Sequence, residues 1–317
     1  MHATLRSPLS RLILGALALS PIGAAPATQP ASEDRPVEAT SLLGEPLHRS
    51  ELPDEFRSTQ LFELARMRLE LLNDPDDEMT HIWIGRRLAY LGRYRDAIDH
   101  YTRAIRQFPE SHKLLRHRGH RYITTRQFDK AVEDLYKAMA MAVDLEDEIE
   151  PDGLPNEKNL PRSTTFTNIT YHLGLACYLT DKRPFTPVVF GQCVEASTND
   201  DMRVAALYWQ YLALHRNDQA DDAAKLLEAV TPEMDIIEND GYHRLLLLFK
   251  GELSEDDLLK NLDEGVTTPT VLYGVAQHRK LSGDDEGSRE LLDRIIAGGN
   301  WAAFGYIAAE ADLARLE

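Results

Sequence analysis

HIWIGRRLAYLGRYRDAIDHYTRAIRQFP runs from His81 to Pro109, and LRHRGHRYITTRQFDKAVEDLYKAMAM, from Leu115 to Met141, repeats its layout thirty-four positions later. Gly85 returns as Gly119, Leu88 as Tyr122, Tyr94 as Phe128, Ala97 as Ala131, Tyr101 as Leu135 and Ala104 as Ala138. Within each half the spacing is helical: Ile84, Leu88 and Leu91 share one face, as do Ala97, Tyr101 and Ala104. Small residues at Gly85/Gly119 and Ala97/Ala131 let two helices approach, and Tyr101, Tyr122 and Leu135 fill the gaps. Gly92 ends the first helix by accepting φ > 0 at its C-terminal cap. Pro109 stops the second helix from running into the next unit. A period of this length, split into two helical halves, predicts a stack of helix–turn–helix units.

On those residues the chain resembles the tetratricopeptide repeat family. The resemblance implies an all-α fold, a right-handed α-solenoid of antiparallel helix hairpins. It also implies a scaffold that holds peptides or partner domains in a concave groove and does no chemistry of its own. The best repeats are expected at 78–111 and 112–145.

Outward from this core the pattern continues more loosely. Asp54 reads as the cap of a helix from about Glu55 to Leu72, ended by Asn73-Asp74-Pro75, that starts the solenoid. Past the second repeat, Tyr171-His-Leu-Gly174-Leu175 resumes the signal, but Gly174 lies 55 positions beyond Gly119, so about 21 residues are inserted. The insert, about 143–166, carries Pro151, Gly153, Pro155 and Pro161 together with Asp144, Glu146, Asp147, Glu148, Glu150, Asp152 and Glu157. It cannot be one helix, and both its ends fall at the edge of the second and third repeats. It is expected to be ordered, lying along the groove against the basic repeats as a lid or a wall. Four more hairpins follow: 167–180 with Phe185–Ala196, Met202–His215 with Ala220–Val230, Tyr242–Lys250 with Asp256–Leu262, and Val271–Leu281 with Glu286–Ile296. A last helix from Trp301 to Leu316 is expected to close the C-terminal end. Residues 54–317 form one repeat domain of six or seven hairpins, and nothing reads as a strand.

The N-terminus supplies an address. Arg6 and Arg11 precede the apolar run Leu12–Leu19, followed by Pro21, Gly23 and Ala25-Pro26-Ala27. That is the order of a secretory signal peptide, residues 1–27, and the run is too short to span a bilayer. The mature chain is then periplasmic or secreted, with no transmembrane segment. Residues 28–53, rich in Pro, Ala, Thr, Ser and Glu, are expected to be a disordered linker. Cys177 and Cys193 fall on the two helices of the third hairpin. Export would permit a disulfide, and two buried thiols are the simpler alternative.

Charge points to the kind of partner. The chain carries a net −17, which argues against nucleic acid and for solubility. Yet His81–Arg126 holds eleven Lys/Arg against Asp96, Asp99 and Glu110, a block of +8 in an otherwise acidic protein. In the resembled family, positions 2, 5, 9 and 12 of each first helix face the groove. They fall here on Met79, Ile82, Arg86 and Ala89, then Lys113, Arg116, His120 and Ile123, then Asn168, Tyr171, Leu175 and Tyr178. The candidate partner-binding groove is therefore Arg86, Lys113, Arg116, His117, His120, Asn168 and Tyr171. Its chemistry is similar to a carboxylate clamp, although Ile82 stands where such clamps carry a lysine. The expected partner is a protein or peptide of acidic or C-terminal carboxylate character.

His117 and His120 lie at i, i+3 with His112 nearby, but the surrounding arginines oppose a cation, so no metal and no cofactor are expected. No nucleophile elbow, H-E-x-x-H, P-loop or dinucleotide-binding glycine pattern occurs. The chain is expected not to be an enzyme. The alternative is an enzyme or small-anion receptor that uses the same Arg/His cluster on phosphorylated or carboxylated ligands. An open groove would mark the scaffold, and a closed pocket with strongly perturbed titratable groups would mark the alternative.

Overall fold

The computed structural model describes residues 35–180, 183–260, 262 and 268–316. The signal-type segment and residues 28–34 of the expected linker lie outside the described residues.

The helices alternate as the period requires. Helix α1 spans Asp54–Asn73, and the first repeat follows as α2, Glu78–Tyr90, and α3, Tyr94–Gln107. The second is α4, His112–Thr124, with α5, Phe128–Ala142. The third, α6, Thr165–Leu179, with α7, Thr186–Ala196, comes after the insert. Then come α8, Asp200–Arg216, with α9, Ala220–Leu227, and α10, Asp240–Lys250, with the short α11, Glu255–Leu259. The series ends in α12, Thr268–Leu281, with α13, Asp285–Ala297, and the single helix α14, Phe304–Ala314. Antiparallel hairpins of this kind, stacked in order, make the chain an all-α solenoid.

Small-against-large packing sets the hairpin geometry. A Cβ at Gly85 would lie 2.1 Å from the Tyr101 ring, one at Gly119 2.6 Å from Leu135, and one at Gly174 2.6 Å from Phe190. The partner stands sixteen residues after the glycine in all three units, so the contact carries the register across the insert. Tyr101 also donates its hydroxyl to the Ile82 carbonyl at 3.2 Å.

The turns repeat as well. Gly92 has φ +68°, and thirty-four residues on Arg126 has φ +62° in the corresponding turn. Asp218, between α8 and α9, and Gly283, between α12 and α13, are left-handed too, at +58° and +85°. A left-handed residue after these first helices lets the chain reverse within a few residues. At Arg126 and Asp218 a side chain bears the steric cost that glycine would avoid.

Two expectations are corrected. Residues 35–53 are not a disordered linker. Val37–Thr40 (β1) and Pro46–His48 (β2) pair antiparallel into a small hairpin. Its local propensity is weak, and side-chain anchoring supplies the order. The Glu38 carboxylate, 3% exposed, accepts from Arg49 and from the Arg95 backbone N–H, while Ala39 and Leu47 enter the main core. Trp301 donates its indole N–H to the His48 carbonyl at 2.8 Å.

The last helix also departs from the expected end cap. Helix α14 buries every residue from Gly305 to Leu313, and its neighbours include α12, α13 and α6. It lies inside the solenoid rather than over its end. Gly305 permits this, because a Cβ there would sit 2.3 Å from the Pro269 carbonyl oxygen. Two buried carboxylates of α14 find cations on earlier repeats. Glu310 pairs with Arg126, and Asp312 with Arg216, itself stacked 3.6 Å over the Tyr178 ring. Cys177 and Cys193 are both buried as thiols, the Cys193 thiol donating to the Thr167 carbonyl.

Candidate partner-binding groove

Helices α2 and α4 present the basic face, and α6 sets Asn168 beside it. Asp77 caps α2 through the Met79 and Thr80 N–H groups, Ser111 caps α4 through Leu114, and Thr164 with Thr167 forms a capping box on α6. These caps fix where each helix starts, and so where its second and fifth positions point.

Five of the seven sequence-predicted residues meet the acidic insert. The Glu150 carboxylate lies 3.2 Å from an Arg116 nitrogen, 3.7 Å from Arg86 and 3.7 Å from His117 Nε2. Asn168 donates its amide to the second Glu150 oxygen at 3.0 Å. Lys113 holds Glu148 at 2.6 Å on the exposed rim, and the pair keeps the Glu148 carboxyl below its usual range. Arg86 also donates to the Pro151 carbonyl at 2.7 Å, and Gly153 passes so close to Tyr90 that a Cβ would overlap its hydroxyl. A backbone pair, Glu150 N–H to Ser163 O and Thr165 N–H to Glu148 O, holds the two limbs of the insert together. Asp152 follows Glu150 into the same corner, its carboxyl raised by burial with Arg86 opposing.

The other two residues have different neighbours. His120 packs at a tilt against His172, ring centroids 4.2 Å apart, and against Phe304 of α14 at 5.4 Å. Tyr171 shares its hydroxyl with Tyr242 at 2.9 Å and accepts from the Trp209 indole at 3.0 Å. They belong to an aromatic interior rather than to a cationic rim, because α14 covers this half of the concave face. A cavity of about 270 Å³ opens beside them, bordered by His120, Tyr242, Thr270 and Phe304.

The groove is thus not open, which departs from the open groove expected of a scaffold, and what closes it is the chain's own insert and α14. Its outer half holds the insert and its inner half holds α14, with Ile123, Leu175 and Tyr178 buried in the same core as Ile307 and Ala308. Burial governs the titratable groups here. It pushes the His117, His120 and His172 imidazoles well below their ordinary range, helped by the neighbouring Arg116 and Arg121 charges. Burial also works against the charge of Arg116 and Arg121, while Glu150 supports that of Arg116. Arg121 faces the Tyr94 ring at 5.6 Å. The arrangement can hold a carboxylate by charge-assisted hydrogen bonds in a partly desolvated corner. Its imidazoles are neutral and serve as hydrogen-bonding and stacking groups.

Three participants were not singled out by sequence. Glu150 was one of seven insert carboxylates, with no local mark to separate it. His172 follows Tyr171 on α6 and had no positional signal. Arg121 lay in the basic block but outside the four inward positions.

No family profile and no curated protein matches the chain. Solved structures that resemble it do so at low identity. YrrB, a tetratricopeptide repeat protein with an unusual peptide-binding site, is 13% identical over 73% of this chain and 91% of its own, TM-score 0.42. A Podosopora anserina putative kinesin light chain with nearly identical repeats is 15% identical over 69% and 93%, TM-score 0.42. A Parabacteroides merdae tetratricopeptide repeat protein is 10% identical over 81% and 93%, TM-score 0.46.

Proposed function

We propose that this chain is an exported protein-binding scaffold whose basic groove takes an acidic or carboxylate-ended peptide. One observation carries the proposal: Arg86, Arg116, His117 and Asn168 converge on a single carboxylate, Glu150, delivered by a loop rather than by the repeats. The repeats alone supply cations at these positions, and their anion comes from a segment that can be replaced. The insert then acts as a resident competitor, and an outside carboxylate takes the place of Glu150. The signal-type residues 1–27 support a location outside the cytoplasm, which fractionation of the native host tests directly.

Binding of a fluorescent acidic peptide tests the groove. Glu150→Gln, or a Gly/Ser bridge in place of residues 144–159, should tighten binding, because a competitor is removed. The Arg86→Glu, Arg116→Glu pair should abolish it. Affinity should fall with salt mainly through Lys113 on the exposed rim. Exposed ion pairs are each worth only about 0.2–1 kcal/mol and are screened beyond roughly 8 Å. The Arg86 and Arg116 contacts, with side chains 12% and 8% exposed, are screened less. Weaker binding after the bridge is introduced would make the insert a wall of the site. Unchanged binding in the double Glu variant would refute the groove. Displacement by inorganic phosphate alone would favour the small-anion receptor instead.

A further inference from the structure

The insert occupies only part of what the repeats enclose. On α4, Arg116 and His120 stand one helical turn apart on the same side, and on α6 so do Asn168 and His172. The first pair, Arg116 with Asn168, holds the Glu150 carboxylate at 3.2 and 3.0 Å. The second pair, His120 with His172, meets Phe304, whose ring lies 5.4 Å from one imidazole and 5.7 Å from the other. Here the cavity of about 270 Å³ opens, between His120, Tyr242, Thr270 and Phe304, with Ala302 on its wall and Glu238 at its edge. No residue of the insert borders it. The insert instead latches that edge, where Asn156 donates its side-chain amide to Glu238. Displacing one segment therefore frees the carboxylate corner and the edge of the cavity together.

Resting on the groove reading proposed for this chain, we infer that the cavity takes the last side chain of the bound peptide, and that this side chain is aromatic. The peptide's free carboxylate takes the place of Glu150. The side chain of the same residue then reaches one turn, about 5.4 Å, along α4 and α6, a span that Phe or Tyr covers between its carboxylate and its ring. The walls select the side chain. Tyr242 has its hydroxyl committed to Tyr171 at 2.9 Å and to the Trp209 indole at 3.3 Å, and burial keeps the His120 imidazole neutral. What the interior offers is mainly rings and methyl groups, with room for one large side chain. An aromatic ring gains there by burial and by edge or offset contact with Phe304 and Tyr242. A lysine or arginine would meet the Arg116 and Arg121 charges that already bear on His120. An aspartate or glutamate would give up its hydration for apolar walls and the Glu238 carboxylate at the edge.

Three fluorescent peptides test this, Gly-Ser-Asp-Gly-Phe, Gly-Ser-Asp-Gly-Ala and Gly-Ser-Asp-Gly-Asp, each with a free C-terminus and titrated against the full chain, wild type and Glu150→Gln. The Phe-ended peptide should bind about tenfold or more tightly than the Ala-ended one, and the Asp-ended one no better than the Ala-ended one. If charge alone decided, the Asp-ended peptide would bind tightest. That order overturns the inference, as does equal binding of all three. Converting the Phe-ended peptide to its carboxamide should cost about tenfold or more, since ring and carboxylate belong to one residue. A carboxamide that binds as well as the acid also overturns it. Ala302→Leu narrows the cavity and leaves Arg116 and Asn168 in place. It should bring the Phe-ended peptide down to the Ala level with unchanged circular dichroism, and a Phe preference that survives in this variant refutes the cavity's role. Failure of the groove itself looks different: none of the three peptides binds, or the Arg86→Glu, Arg116→Glu pair binds them all as before. Either result removes the groove and the cavity's role with it, whereas the ranking of the three peptides tests the cavity by itself.

Discussion

Arg126 and Glu310, 184 positions apart in the chain, meet in an ion pair of 2.6 Å with side-chain exposures of 3% and 0%. The pair joins the α4–α5 turn to the helix that fills the solenoid. It also serves the N-terminal hairpin, because Glu310 accepts the Leu42 N–H at 2.5 Å. Arg126 holds its left-handed backbone at this point, with its guanidinium 5.5 Å from the Trp301 ring centroid. One carboxylate thereby ties three separate segments of chain to one another.

Glu310→Gln should therefore be among the most damaging single substitutions. Removing one partner of a buried pair leaves the other uncompensated, at a cost of about 3–5 kcal/mol. Replacing both, as Arg126→Met with Glu310→Leu, should cost much less than either change alone. Urea denaturation of the two singles and the double closes this cycle. Additive losses would show that the pair is not coupled.

Asp218→Gly should stabilise. Asp218 is exposed and left-handed, and its backbone N–H bond to the His215 carbonyl is one that glycine keeps. Relief of the left-handed strain, offset by the entropy of a new glycine, leaves a gain of about 0.5–1 kcal/mol. The same change at Arg126 should destabilise, because it also removes the cation facing Glu310. A rise in thermal midpoint for one and a fall for the other is the expected pattern.

The glycine contacts predict compensation. Gly119→Ala puts a methyl 2.6 Å from Leu135 and should cost about 1–3 kcal/mol through overpacking. Leu135→Ala alone should cost about 2–5 kcal/mol through the cavity it leaves. Together they should cost less than the two separate losses added. A strictly additive double variant would mean that helix α5 shifts as a unit instead.

Stability should fall as pH drops below neutrality. Burial pushes the His100 imidazole down to about 4 and those of His117, His120 and His172 well below 6.5. In each case the unfolded imidazole binds its proton first, so the unfolded state holds more protons just below pH 6.5. The contribution is complete above that value and is lost as pH falls towards the folded pKa. Each histidine adds at most about 1.4 kcal/mol per pH unit. The urea midpoint at pH 5.5 should lie below that at pH 7.5, and His100→Gln should remove part of the difference. An equal midpoint at the two values would contradict the neutral, buried assignment. Glu63 and Glu148, whose carboxyls are held low by Arg66 and Lys113, contribute at neutral pH and lose that contribution only at more acid pH, below the ordinary carboxyl range.

The hairpins were legible from residues 81–141 because a repeat writes its packing locally. Gly85 must meet Tyr101 and Gly119 must meet Leu135 within a single helix pair, so the partners stand a fixed distance apart in the chain. The turn at Gly92 was equally local, and its counterpart at Arg126 keeps the conformation without the glycine. The basic positions Arg86, Lys113 and Arg116 followed from the same register. One local element was missed and another misplaced. The 37–48 hairpin has too little pattern of its own, and its order comes from Glu38, Arg95 and Trp301. Helix α14 was found, but its place was not. Tertiary structure decided what fills the groove. Glu150 could be chosen from seven insert carboxylates only once the chain brought it between Arg86, Arg116 and Asn168. Glu310 could be paired with Arg126 only after the solenoid had curved far enough for its last helix to reach its second repeat. Periodicity fixes the contacts within a unit, but curvature accumulates over all the units, and the segments that close the interior are held by charges from opposite ends of the chain.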